Sequence, residues 1–116
     1  HEHRTLRISE LENAVFSALD HKLLNVFEKR FTKRYGAVPS HVTTLAYDAL
    51  SLIVTLVRHY PENPFARQNL LNPNGFLGIG GIFRFTEGGA TQRGLNILRV
   101  HDGNFDVIKE APKKFE

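Results

Sequence analysis

The sequence contains no cysteine. That absence removes disulfides, thiolate catalysis and zinc–cysteine sites together. It also lacks any apolar run long enough to cross a membrane. The longest candidate, Leu45 to Val57, is interrupted by Asp48, Ser51 and Thr55. The sequence opens on His1 and contains no basic-then-apolar signal segment. The chain is therefore expected to be processed, or cut from something longer. No acidic or basic excess dominates, with 15 Lys and Arg against 12 Asp and Glu, a net charge of +3. The one basic cluster, Lys29, Arg30, Lys33 and Arg34, sits beside Glu28 and reads as a solvated helix face. Nucleic acid is accordingly not an expected partner.

Catalytic constellations are missing as well. No Ser-His-Asp set and no carboxylate pair stands at a useful spacing. The six histidines, His1, His3, His21, His41, His59 and His101, are scattered, with no HExxH pattern. His3 has the third-position spacing from an amine that can hold copper or nickel, but no physiological metal site is expected. The chain reads as a non-enzyme without metal or cofactor. The glycines Gly75, Gly78, Gly80 and Gly81 resemble a phosphate loop only loosely, because a dinucleotide fingerprint needs a strand before it and a helix after it. They read instead as a tight backbone path into an edge strand.

What is present is one small domain's worth of residues, 116, of which 41% are apolar. That is an ordinary share for a packed fold. Ala14 to Leu19 reads as a short buried strand. Asp20 is a helix N-cap, Leu23, Leu24, Phe27, Phe31 and Tyr35 form a buried stripe, and Gly36 is the C-cap. A second helix is expected from about His41 to His59. Its apolar residues wrap most of the circumference, while Thr44, Asp48, Ser51, Thr55 and Arg58 form one narrow polar stripe. A helix this apolar needs cover on nearly every side, more than this chain supplies. Asp48 is expected to be half-buried and bonded to neighbouring backbone or to Thr44. The alternative for Asp48 is a residue facing a cleft, and Tyr47, next to it, reads as core.

Asn63 as N-cap and Pro64 at N1 predict a short helix ending near Asn72-Pro73. Strands are expected at Ile82 to Phe85, Leu95 to Val100 and Phe105 to Ile108. Glu87-Gly88-Gly89 reads as a turn, and Asp102-Gly103 as a two-residue hairpin turn.

The order of these motifs says more than any one of them. Phe31-Thr32-Lys33-Arg34-Tyr35-Gly36-Ala37-Val38-Pro39 precedes Leu45-Ala46-Tyr47-Asp48-Ala49-Leu50. Then come Gly75-Phe76-Leu77-Gly78-Ile79-Gly80-Gly81-Ile82-Phe83-Arg84-Phe85, Arg93-Gly94-Leu95, Gly103-Asn104-Phe105 and Ala111-Pro112. The series resembles the C-terminal third of type I periplasmic solute-binding proteins, the branched-chain amino-acid-binding class, over about residues 11 to 112. The resemblance implies an α/β chain, the C-terminal portion of a two-lobed fold, with helices and a terminal β-hairpin. It assigns about 1–19 to the second lobe, 20–93 to the first, and 94–116 to the hinge and second lobe.

By the same resemblance the function is solute binding for an ABC-type importer. The partners are an amino-acid-like ligand and the transporter's membrane subunits, and the place is the periplasm, with or without a lipid anchor. The start of the second helix would face the cleft, making Val42, Thr43 and Tyr47 the candidate ligand-binding residues. The family often carries an aromatic near position 42, and this chain has Val42. The alternative is an envelope lipoprotein of the same fold that binds and activates a peptidoglycan synthase. The uncovered second helix further predicts that the chain on its own self-associates.

Overall fold

A computed structural model describes residues 9–115. After a single 3-10 turn at Ser9–Leu11 come strand β1 (Val15–Ala18), helix α1 (His21–Tyr35), helix α2 (His41–His59) and a one-turn helix α3 (Arg67–Leu70). Strands β2 (Phe76–Gly78), β3 (Gly81–Phe85), β4 (Thr91–Arg93), β5 (Asn96–His101) and β6 (Asn104–Lys109) follow. The expectations placed on His1 and His3 lie outside the described residues.

The helix boundaries follow local chemistry. Asp20 Oδ1 accepts from the Lys22 N–H at 3.0 Å, satisfying one free donor of the first turn. Gly36 ends α1 at φ 73°, the left-handed conformation that costs glycine least, and its N–H donates to Thr32 O at 2.8 Å. Ser40 caps α2 through its hydroxyl, which accepts from the Thr43 N–H at 3.3 Å.

The strands form two separate antiparallel sheets of three, ordered β1-β5-β6 and β2-β3-β4. β1 pairs with β5 from Val15 opposite Arg99 to Ala18 opposite Asn96. β5 and β6 form the terminal hairpin, with a bulge at Ile97/Leu98. Its turn residues Asp102 and Gly103 both have positive φ, 50° and 70°, as the twist of a two-residue hairpin demands. Leu98 and Val100 are buried on the inner face of β5, and Ile82 and Phe83 are buried in β3.

Several expectations change. The α1 stripe is not buried: no residue of α1 is, and Tyr35 remains 67% exposed. Asn63 does not cap a helix. Its carbonyl accepts from the Ala66 N–H and from Asn69 Nδ2, closing a turn with Pro64 inside it, so the helix starts only at Arg67. The glycine run leads into two strands, an edge strand after Gly75 and a central one after Gly80. Phe76–Gly78 is itself a strand, paired with β3, and β3 is the central strand because β4 covers its other side.

Helix α2 carries the main structural result. Its buried residues are Thr44, Asp48 and Leu56, and Asp48 bonds to this chain's own β2–β3 turn; of the polar stripe, Thr44 and Asp48 are buried, while Thr55 and Arg58 stay exposed. The apolar arc, including Leu45, Leu50, Ile53, Val54 and Val57, faces outward and is uncovered. A contiguous apolar surface of this kind marks a place where further polypeptide packs.

Candidate binding cleft

An open cleft of about 1150 Å³ lies where the ends of the two sheets approach α1. β1 supplies Phe16 to Ala18, the first turns of α1 supply His21, Leu24 and Asn25, and β5 and β6 supply Leu98, Phe105 and Val107. Strand alternation places these side chains: Leu98 lies opposite Phe16 on one side and opposite Val107 on the other. The Phe16 and Phe105 rings meet edge to face at 6.3 Å between centroids. His21 lies over Phe105 at 6.2 Å. The floor is thus apolar and aromatic, and the rim is polar, a lining suited to small amphipathic molecules.

One rim contact bridges the cleft. Lys22 Nζ donates to Glu110 Oε1 at 2.9 Å. The hydrogen bond, and then the opposite charge, hold the Glu110 carboxyl below its ordinary range and the Lys22 ammonium above its own. Both groups are solvated, so the pair orients more than it stabilises. Deeper, buried Asn96 accepts from the Ala111 N–H through Oδ1 at 2.7 Å, which fixes the segment leaving β6 against the start of β5.

The three candidate residues sit near the mouth of this cleft, not in its lining. The cleft touches α2 at His41 and Thr44. Val42 is outside that lining and is 72% exposed. The Thr43 hydroxyl pairs with Ser40 Oγ at 3.0 Å. The Tyr47 ring stacks on Phe27 at 4.9 Å, joining α2 to α1, and keeps 47% of its surface in solvent. Asp48 does bond to backbone, but to a distant segment, and Thr44 turns to His41 O instead.

Among the described residues, Glu12, His101 and Asp102 form the one group of three ligand-type side chains with metal-like spacing. Each already has a role in the protein. Glu12 Oε1 bonds to His101 Nδ1 at 2.8 Å, and Oε2 accepts from the Asp102 N–H at 3.1 Å. The Glu12 bond first, then the Asp102 charge, hold the imidazole above its usual value of 6.5. The cluster closes the terminal hairpin onto the turn before β1. Sequence reasoning missed it because its members are 89 and 90 residues apart.

Comparison with known proteins points to one class. No protein-family model matches the sequence, and no curated protein does. Three solved structures share the fold. A branched-chain amino acid ABC transporter protein of Rhodospirillum rubrum matches at 26% identity and TM-score 0.69, over 87% of this chain and 32% of its own. A leucine-binding protein of Thermotoga maritima matches at 19% identity and TM-score 0.52, over 86% of this chain and 31% of its own. An ABC transporter substrate-binding protein of Desulfitobacterium hafniense, in complex with leucine, matches at 19% identity and TM-score 0.54, over 84% and 32%.

The fold is therefore that of a partial type I periplasmic binding protein, as the motif order implies. The chain spans about a third of the length of each of these structures. Among the described residues, no helix is long and apolar enough to cross a membrane.

Proposed function

We propose that the chain forms the C-terminal part of a non-catalytic solute-binding protein that serves an ABC-type importer in the periplasm. The observation that carries this reading is the match to the Rhodospirillum rubrum transport protein over 87% of the chain. The uncovered arc of α2 supports it, since about two-thirds of each matched structure's chain lies outside the matched part and is there to cover such a surface. In this reading residues 1–19 and 94–116 belong to one lobe and 20–93 to the other. The separation of β1, β5 and β6 from β2, β3 and β4 into two sheets supports that division.

The ligand is an amino acid or a similar small polar solute, bound between the lobes. Val42, Thr43 and Tyr47 contribute from the α2 side. Contacts made from both lobes favour the closed state, and the membrane subunits of the importer read that state. No covalent step and no cofactor is involved. Separated from the rest of the fold, the 116-residue chain self-associates through the α2 arc.

The test is calorimetric titration of the complete protein with L-leucine and a panel of other amino acids. Binding stabilises the folded state by mass action, so a ligand at about a hundred times its Kd raises stability by about 2.7 kcal/mol. A panel in which nothing binds and nothing shifts the melt refutes the proposal.

One observation favours a second reading. At position 42 the chain presents an exposed aliphatic side chain, with no aromatic face for a ligand to pack on. The same fold could then serve as an envelope lipoprotein that activates a peptidoglycan synthase. Retention of a synthase by the immobilised complete protein, with no amino-acid binding, would decide for it.

A further inference from the structure

We propose that Asp48 is a positioning residue that seats the pivot between the two lobes, at the Gly78–Gly81 turn. The inference rests on the two-lobed reading above and concerns how closure is controlled.

The turn joins β2 to β3 and is held from two directions. From α2, Asp48 Oδ1 accepts from the Ile79 N–H at 2.8 Å. Gly78 is pressed so closely on this carboxylate that a Cβ there would stand 2.5 Å from Oδ2. From the other sheet, Gly80 O accepts from the Asp20 N–H at 3.1 Å, just where the chain has left β1. A Cβ on Gly80 would meet Leu19 at 3.1 Å.

The second passage between the sheets crosses at the same place. The Gly94 N–H donates to Ile82 O at 2.9 Å on the way from β4 to β5. The segment beyond β6 arrives there too, since a Cβ on Gly94 would stand 2.9 Å from Ile82 Cγ1 and 3.2 Å from Pro112. Three stretches of backbone thus converge on residues 78–82.

Rotation of one sheet against the other is least disruptive about such a point. The connecting strands move least there, and few side chains must repack. The pivot needs one fixed seat, and Asp48 supplies it: the side chain is buried and its bond crosses from a rigid 19-residue helix to the turn. His41, Thr44 and Asp48 follow one another at spacings of three and four, so they share one face of α2. His41 and Thr44 border the cleft. The cleft mouth and the pivot are therefore about 6 Å apart along one helical turn.

The test uses the complete protein, spin-labelled on α1 and β6 through Thr32→Cys and Asp106→Cys; both sites are exposed and this chain has no cysteine of its own. Double electron–electron resonance reads the distance distribution between the labels without ligand. Asp48→Ala is expected to broaden it and to weaken L-leucine binding about tenfold, the equivalent of one lost hydrogen bond to a charged group. Asp48→Asn keeps an acceptor oxygen at the same reach and is expected to retain the wild-type distribution.

A merely structural Asp48 would lower the melting temperature and the active fraction, and leave the distance distribution unchanged. That result in folded Asp48→Ala overturns the proposal. If Asp48→Ala does not fold, Gly80→Ala decides, because its methyl presses on the pivot from Leu19's side without removing a bond. It is expected to displace the mean distance, and an unchanged mean overturns the proposal. A distribution that responds to Asp48→Ala but to none of the panel of amino acids supports the pivot and counts against amino-acid-driven closure.

Discussion

Leu50 and Leu56 lie on the same helix and make a paired experiment. Leu56 is 1% exposed and Leu50 is 62% exposed. In the structure as it stands, only about a third of the Leu50 side chain has left water, so truncation to alanine removes at most about 1 kcal/mol of burial. If the α2 arc is covered by the rest of a two-lobed fold, the same truncation opens a cavity and costs about 2–5 kcal/mol. Leu56→Ala costs about 2–5 kcal/mol in either case, because its site is already closed. The assay is urea unfolding of the complete protein, comparing midpoints at an unchanged slope. Comparable losses for the two variants are expected. If Leu50→Ala stays within about 1 kcal/mol of wild type while Leu56→Ala shows its full loss, the arc is a free surface and the argument from uncovered apolar area is wrong.

Three further outcomes are expected. Asn96→Ala leaves the part-buried Ala111 N–H without its acceptor and costs about 1–3 kcal/mol, which chemical denaturation measures. Gly103→Ala places a Cβ at φ 70° in the terminal turn and costs about 1–2 kcal/mol by the same measurement, and a neutral result would contradict the turn geometry. The His101 imidazole titrates above 6.5 by NMR, and Glu12→Gln returns it toward that value. Because the folded-state value is raised, the link to Glu12 contributes fully below the unfolded-state value. It is lost as pH rises through the folded-state value, so hydrogen exchange at the Asp102 amide accelerates across that range beyond its intrinsic rate.

Local chemistry in the sequence determined the elements whose signals are local. Asp20 and Gly36 bound α1, the apolar period and Ser40 bound α2, and Asp102-Gly103 closes the terminal hairpin; each needs only residues within a turn of itself. The order of those elements carried the resemblance to the binding-protein fold. Strands β2 and β4 were not legible, because three-residue strands rich in glycine or polar residues have no period and exist only through pairing with β3. The direction of α2 was not legible either. Its pattern shows a polar stripe and an apolar arc, but hydropathy alone sends the polar stripe to water. Only the tertiary structure, through the bond from Ile79 to Asp48, turns the Thr44 and Asp48 end of that stripe inward and leaves the apolar arc outside. The Glu12–His101 pair and the convergence at residues 78–82 likewise join positions far apart in the chain, and sequence period says nothing about contacts that only chain folding brings within hydrogen-bond reach.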